Sequence, residues 1–375
     1  MTANSRYPRV EIIEEGMREG MQIESEEISV DAKLQLLDAL STTGLKTIVV
    51  GSFVSPKWTP QMANVDELVR RFTPVKGVRY TALALNDRGR ERMAQYMPPL
   101  SEPVEFPRTL VHLCDVFVRR NTNRSQQDEI DQWPTVIERT IASGVTSAGI
   151  GINAAWGSNW LGRFDEDYRM EMLERQLVLW NAVGVTIDRV WIGDPMAWNV
   201  PDAVGSQLRA IKARWPQITT FHLHLHDARG TALLSAYEAM NALSPEDTLV
   251  LDSSVGGMGG CPYGGHGRMT RMIPTEDLVD LLNELGVETG VDLDRLIDAA
   301  LLAEDVVGHP LWGHVSKAGP RPRGTRLFAM DMPFIETEEQ AQHFRLGPSA
   351  YDGARSPWSE PILSPARRLI DEAGR

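Results

Sequence analysis

The chain predicts an α/β fold closed as a (β/α)8 TIM barrel with a C-terminal extension. Eight short apolar runs appear before about residue 300, and most are followed by an amphipathic stretch of helical period. No GxGxxG turn follows the first run, which sets aside the rival open, doubly wound sheet. At 375 residues the chain exceeds the roughly 250 that a single barrel occupies, leaving room for an appendage.

In chain order, the first run is Val10–Glu15, which ends in paired carboxylates and passes through EGMREGMQ to the helical pattern Asp31–Ser41. Thr47–Phe53 follows. The polar, proline-punctuated loop GSFVSPKWTPQM comes next, of the kind expected to face substrate, and then the helical pattern Asn64–Phe72. Arg79–Leu85 and Leu110–Phe117 are the next two strands, with Gln126–Ala142 a helix after them. Ser147–Ile152, Arg189–Asp194 and Thr219–Asp227 alternate with helical Asp165–Ala182, Pro201–Ala213 and Thr231–Ala242. Thr248–Ser254 completes the set. The barrel is expected over residues 1–307 and the extension over 308–375. From Gly308 the sequence turns rich in Gly, Pro and basic residues, then in Pro and Ser, around a short helical pattern, Glu336–Phe344. This part is expected to wrap the barrel, cover it or reach a neighbouring subunit; a partly disordered tail is the alternative.

Composition narrows the function. The chain is 42% hydrophobic and 24% charged, as ordinary globular proteins are, and no apolar run approaches the roughly 18–20 residues that cross a bilayer. The start MTANSRYPRV has no apolar signal core, and the final DEAGR is no organelle address, so a cytoplasmic location is expected. Two cysteines, Cys114 and Cys261, cannot build a disulfide framework. A net charge of −13 without a Lys/Arg cluster argues against nucleic-acid binding, but a small anionic substrate remains compatible if local cations receive it.

A barrel places its chemistry at the carboxyl ends of its strands. There stand Arg18 and Glu19, the segment Ser52 to Gln61, Asp194, the histidine strand and a glycine-rich loop. FHLHLHDARG sets His222, His224 and His226 two apart, all on one face, with Phe221, Leu223 and Leu225 on the other. A lone buried histidine is usually a hydrogen-bonded core residue. Three in alternation followed by Asp227 point instead to a divalent metal, although spacing alone does not choose which two are ligands. Between two glycines, Arg18 and Glu19 pair a guanidinium, suited to a carboxylate or carbonyl, with a carboxylate suited to a cation. Taken by itself this is also what a solvated turn looks like. DSSVGGMGGCPYGGHG reads as a mobile lid around Cys261, and a cysteine in a flexible polar loop is expected to be reactive rather than buried and structural. The phosphate-loop alternative lacks its Gly-Lys-Ser/Thr. His266 either joins the metal or faces solvent.

These segments together resemble the lyase branch of the DRE-TIM metallolyases, and the 3-hydroxy-3-methylglutaryl-CoA lyases most closely. EGMREGMQ, SFVSPKWTPQM, HLHD, DSSVGGMGGCPY and TEDLVDLL occur in the family's order over about residues 8–300. The resemblance implies Mg2+ or Mn2+ and a retro-aldol or Claisen-type cleavage of a tertiary hydroxy acyl thioester, acyl-CoA or related hydroxy acid. It implies Glu19, His224 and His226 as metal ligands, Arg18 as the stabiliser of an enolate, and Cys261 as its proton donor. Gln22, Ser52 and Asp194 are expected at the substrate, with His222 deeper in the barrel. A homodimer or larger homo-oligomer is expected as well.

The departures carry information too. Glu19 stands where the family has aspartate, Ser25 where it has lysine, Val49 where it has an acid, and Pro195 where it has threonine. The family's asparagine ligand falls near Thr270, so His266, Thr270 or water is expected to replace it. Trp156, Trp160 and Trp198 near the mouth suggest a bulkier substrate than a methylglutaryl group, or else packing beneath the extension. An aldolase or condensing synthase on 2-oxo acids, and a catalytically silent barrel acting as a binding subunit, are the alternative functions.

Overall fold

In the computed structural model, residues 6–102, 106–264 and 271–327 are described. Eight strands form one sheet: β1 (Arg9–Glu14), β2 (Thr47–Ser52), β3 (Arg79–Leu83), β4 (Val111–His112), β5 (Ser147–Asn153), β6 (Thr186–Asp194), β7 (Thr220–Leu225) and β8 (Thr248–Ser253). The order is β3-β2-β1-β8-β7-β6-β5-β4 and the ladders between them are parallel. The first strand therefore lies beside the last, over a six-residue register from Arg9↔Thr248 to Glu14↔Ser253. That adjacency is the closure of a (β/α)8 barrel, and it brings the loops after β1 and β8 together at one mouth.

The helices α1 (Val30–Ser41), α2 (Val65–Arg71), α3 (Asp87–Ala94), α4 (Asp115–Thr122), α5 (Gln126–Ala142), α6 (Glu166–Ala182), α7 (Pro201–Arg214), α8 (Ala232–Ala242), α9 (Thr275–Glu284) and α10 (Leu293–Val307) follow the strands, with a short α11 (Val315–Ala318) after them. Local chemistry starts them where the sequence indicates. Ser125 caps α5 in a reciprocal box with Asp128, and Asp165 and Asp292 cap α6 and α10. Apolar side chains between sheet and helices make the main core, whereas inside the barrel Ile13, Val49 and Val250 form a small floor.

The strand expected over Leu110–Phe117 is only two residues long, and Phe117 lies in α4. The sulfur of Cys114 accepts from Phe117 N at 3.5 Å as the N-cap of α4, so local capping ends the strand early. Asp227 also leaves the strand pattern: its carboxylate accepts from Ala232 N at 2.7 Å, at the start of α8. Contacts divide the chain into two units, Met1–Gly319 and Pro320–Arg375. Within the first, residues after α10 return to the mouth. Trp312 N donates to Gly256 O at 2.9 Å, while His314 N and Val315 N donate to the Asp277 carboxylate at 3.0 and 2.7 Å. The Glu336–Phe344 pattern lies outside the described residues. No helix among the described residues is long and apolar enough to cross a membrane.

Candidate active site

The site begins where β1 ends. Glu14 is fully buried; its Oε1 accepts from Gly16 N and Val255 N at 2.8 and 2.9 Å, and its Oε2 accepts from Thr275 Oγ1 at 2.5 Å. One carboxyl thus ties the loops after β1 and β8 together. Burial pushes it up to about 7 against those hydrogen bonds. The chain then turns through one π-helical turn, Gly16–Gly20, which presents Arg18 and Glu19 to the mouth. Arg18 Nε donates to Glu15 Oε2 and Nη1 to Glu19 Oε2, both at 2.7 Å, so the guanidinium is held between two carboxylates.

Opposite stands β7. Phe221, Leu223 and Leu225 are fully buried toward the helices, which turns His222, His224 and His226 into the barrel, as period two requires. Asp252, on β8, bonds His222 Nε2 at 2.7 Å and His224 Nδ1 at 2.8 Å. That contact orients His224 so that its Nε2 points at Glu19 Oε2, 3.5 Å away, and at His226 Nε2, 3.1 Å away. His226 Nε2 lies 2.9 Å from Glu19 Oε1. Burial opposes charge on Glu19, but Arg18, His224 and His226 outweigh it and hold the carboxylate well below its usual range. Burial likewise opposes charge on His224, but Glu19 and Asp252 push it up to about 10.

The donor chemistry fits a divalent cation. Glu19, His224 and His226 each offer one atom, all within 4.8 Å of one another and all buried. A carboxylate behind a ligating imidazole, the place Asp252 takes behind His224, is the usual support of such a ligand.

The loop after β8 crosses above this group. At Gly259, φ is +84° and a Cβ would sit 2.6 Å from Glu19 O, so only glycine permits the close passage over the β1 loop. Cys261 N then donates to His226 Nδ1 at 3.1 Å. The Cys261 side chain, expected to lie open in a flexible loop, is instead buried in an apolar cluster with Cys114, Phe117, Ala154 and Met196, edged by Trp198 and Tyr263. That burial pushes the thiol up to about 12.

Of the other expected residues, Ser52 is buried at the end of β2 with Oγ 3.4 Å from Leu83 O, and Gln22 is exposed just past the π-helical turn. Asp194 is fully buried, and its own loop occupies its oxygens: Trp198 N at 3.0 Å, Asn199 N at 2.6 Å and Asn199 Nδ2 at 2.7 Å. His266 and Thr270 lie outside the described residues. His222 sits deeper in the barrel, beside Trp191 and against Asp252. Glu15 and Asp252 escaped the sequence reading as site residues. Asp252 had a signal: it shares the inward phase of β8 with Val250, which pairs with His222.

The HMGL-like family matches residues 9–302. A 3-hydroxy-3-isohexenylglutaryl-CoA/hydroxy-methylglutaryl-CoA lyase of Pseudomonas aeruginosa is 33% identical over 310 residues, covering 83% of this chain and 97% of the relative. An (R)-citramalyl-CoA lyase of Chloroflexus aurantiacus is 30% identical over 321 residues, covering 83% and 95%. Among solved structures, an HMG-CoA lyase from Acinetobacter baumannii in complex with coenzyme A and 3-methylmalate superposes with a TM-score of 0.68 at 25% identity, covering 89% of this chain and all of that one.

Proposed function

The chain belongs to the HMGL-like family and is a carbon–carbon lyase; from that premise we propose that it cleaves a 3-hydroxy-3-substituted acyl-CoA in the presence of Mg2+ or Mn2+. The observation that carries this reading is the convergence of Glu19, His224 and His226 beneath a loop bearing Cys261, with Arg18 alongside. Glu19, His224 and His226 would hold the cation, and a further ligand from His266, Thr270 or water would complete the set. When bound, the cation supplies Lewis acidity toward the hydroxyl and carbonyl oxygens of the substrate.

The protein's own residues do the rest. Glu19, held ionised by Arg18 and the two imidazoles, is suited to ligation. Arg18 keeps its charge between Glu15 and Glu19 and stabilises the oxyanion that forms as the carbon–carbon bond breaks. In that step the substrate hydroxyl loses its proton to a base, its carbon becomes a ketone carbonyl, and the bond's electron pair passes into an enolate. The Cys261 thiol gives its proton to the enolate carbon, and solvent then reprotonates the thiolate. A thiol pushed up by burial is protonated at neutral pH, as a donor must be.

The test is an assay of the purified protein on 3-hydroxy-3-methylglutaryl-CoA with Mg2+ or Mn2+, following acetyl-CoA and acetoacetate, with an EDTA control. Metal-dependent cleavage at an enzyme-like rate supports the reading. Bound metal without cleavage moves the search to bulkier 3-hydroxy acyl thioesters, and no bound metal overturns the site.

A further inference from the structure

The tryptophan-rich sequence after β5 forms a small hairpin, Gly157–Ser158 paired with Gly162–Arg163, whose tip is Asn159, Trp160 and Leu161. That tip reaches the cysteine loop. Asn159 Nδ2 donates to Tyr263 O at 2.6 Å, and the Trp160 ring lies 5.5 Å from the Tyr263 ring. Phe117, from α4, meets the same Tyr263 ring edge-on at 5.7 Å. Asn159 is itself aimed, because Trp198 Nε1 donates to its Oδ1 at 3.0 Å. Trp198 in turn is fixed from the end of β6, where Asp194 accepts its backbone N–H. A continuous set of contacts therefore runs from a barrel strand to the residue two places beyond Cys261.

We propose that Asn159, oriented by Trp198, is a latch that holds the cysteine loop closed over the mouth and so positions Cys261. This goes beyond the reading above, in which Cys261 donates a proton from that loop, and it rests on that reading only for its consequence in turnover. The latch gives the tryptophans a task that neither a bulky substrate nor the extension requires. Trp198 directs the side chain that grips the loop, Trp160 covers the loop's aromatic residue, and Trp156 is buried beneath. The grip is on a backbone carbonyl, so it fixes where the loop lies whatever side chain stands at 263. The two cysteines make the proposal measurable without substrate: Cys114 is fully buried on the turn before α4, in the same apolar cluster as Cys261 but off the loop, so its rate reports how far that cluster as a whole loosens.

The experiment uses the full chain and follows the rate of N-ethylmaleimide addition at each cysteine by mass spectrometry. Wild type is compared with Asn159→Ala, Asn159→Asp and Trp198→Phe. Asn159→Asp keeps an acceptor for Trp198 but loses the donor to Tyr263, while Trp198→Phe loses the aiming bond together with part of the ring that packs on Gly157, so Asn159→Asp carries the decision. The expected result is addition at Cys261 at least about tenfold faster in all three, with the Cys114 rate raised several-fold less. If the wild type cleaves the thioester, kcat falls in the same order while KM moves less. Equal Cys261 rates in Asn159→Asp and wild type would overturn the latch. So would equal acceleration at both cysteines, which would mean that their shared cluster loosens rather than the loop. A wild type without lyase activity would sink the catalytic reading and leave the labelling result to decide the latch.

Discussion

Burial sets the protonation of single side chains around the mouth, and each shift has a measurable consequence. Cys261→Ala removes the proposed donor without touching a proposed ligand, so turnover should fall by about 10²–10⁴ while Mn2+ binding by titration calorimetry holds. Equal turnover would remove the thiol from the chemistry. Because burial pushes that thiol up to about 12, it stays protonated through the neutral range, and its ionisation adds no alkaline limb to the rate profile below about pH 11. Glu276 offers a stability test. Its Oε2 accepts from Gly256 N at 3.0 Å, its Oε1 is buried without a hydrogen bond, and burial pushes it from 4.5 up to about 8. Below the unfolded value both states are protonated. As pH rises, the unfolded chain ionises first and the folded state loses stability, until the folded group ionises too. Glu276→Gln should therefore gain stability over wild type progressively from about pH 4.5 to pH 8 and level off above, in paired denaturant titrations. A pH-independent difference would mean that Glu276 is ionised in the fold.

Elements meet at the mouth through contacts that sequence patterns do not announce. The segment after α10 seats Leu311 against Gly256 and Gly313 against Glu276, next to the root of the cysteine loop. A Cβ at Gly313 would lie 1.8 Å from Glu276 Oε1, so Gly313→Ala must push the segment or the carboxyl aside. A loss of about 1–3 kcal/mol follows, read as a lower Tm and faster proteolysis near residues 309–318. An unchanged Tm would mean that this segment does not seat as described. Element existence was legible because periods of two and of 3.6 survive in a buried parallel barrel, and Gln126–Ala142 matches α5 at both ends. Phe117 falls outside the expected strand because its apolar neighbours suit a strand, while the helix there is started by the sulfur of Cys114, which accepts from Phe117 N. Asn159 was illegible as a latch because its two partners stand 39 and 104 residues away.

At the scale of the whole molecule, the closure of β1 on β8 makes one site from residues more than 200 positions apart in sequence. The chemistry-bearing residue types could be read from the chain, because HLHD and EGMREGMQ each put their polar groups at a strand end. Their support could not: Asp252 joins His224 only once β7 and β8 are in register, and Glu15 joins Arg18 only through the π-helical turn. A cation bound to Glu19, His224 and His226 would join the turn after β1 to β7, and so would couple metal binding to the stability of the fold. A ligand that binds only the folded state stabilises it by mass action, about 2.7 kcal/mol at a hundred times its Kd. For a domain of this size that is a rise in Tm of several degrees when Mn2+ is restored to EDTA-treated protein. His224→Ala removes a proposed ligand and leaves Asp252 without that imidazole, so its Tm should start lower and rise little with Mn2+. Asn159→Ala, which removes none of the three proposed ligands, should keep most of the rise. A metal-induced rise that survives in His224→Ala would place the cation elsewhere, and the mouth would then be a site for protons and substrate alone.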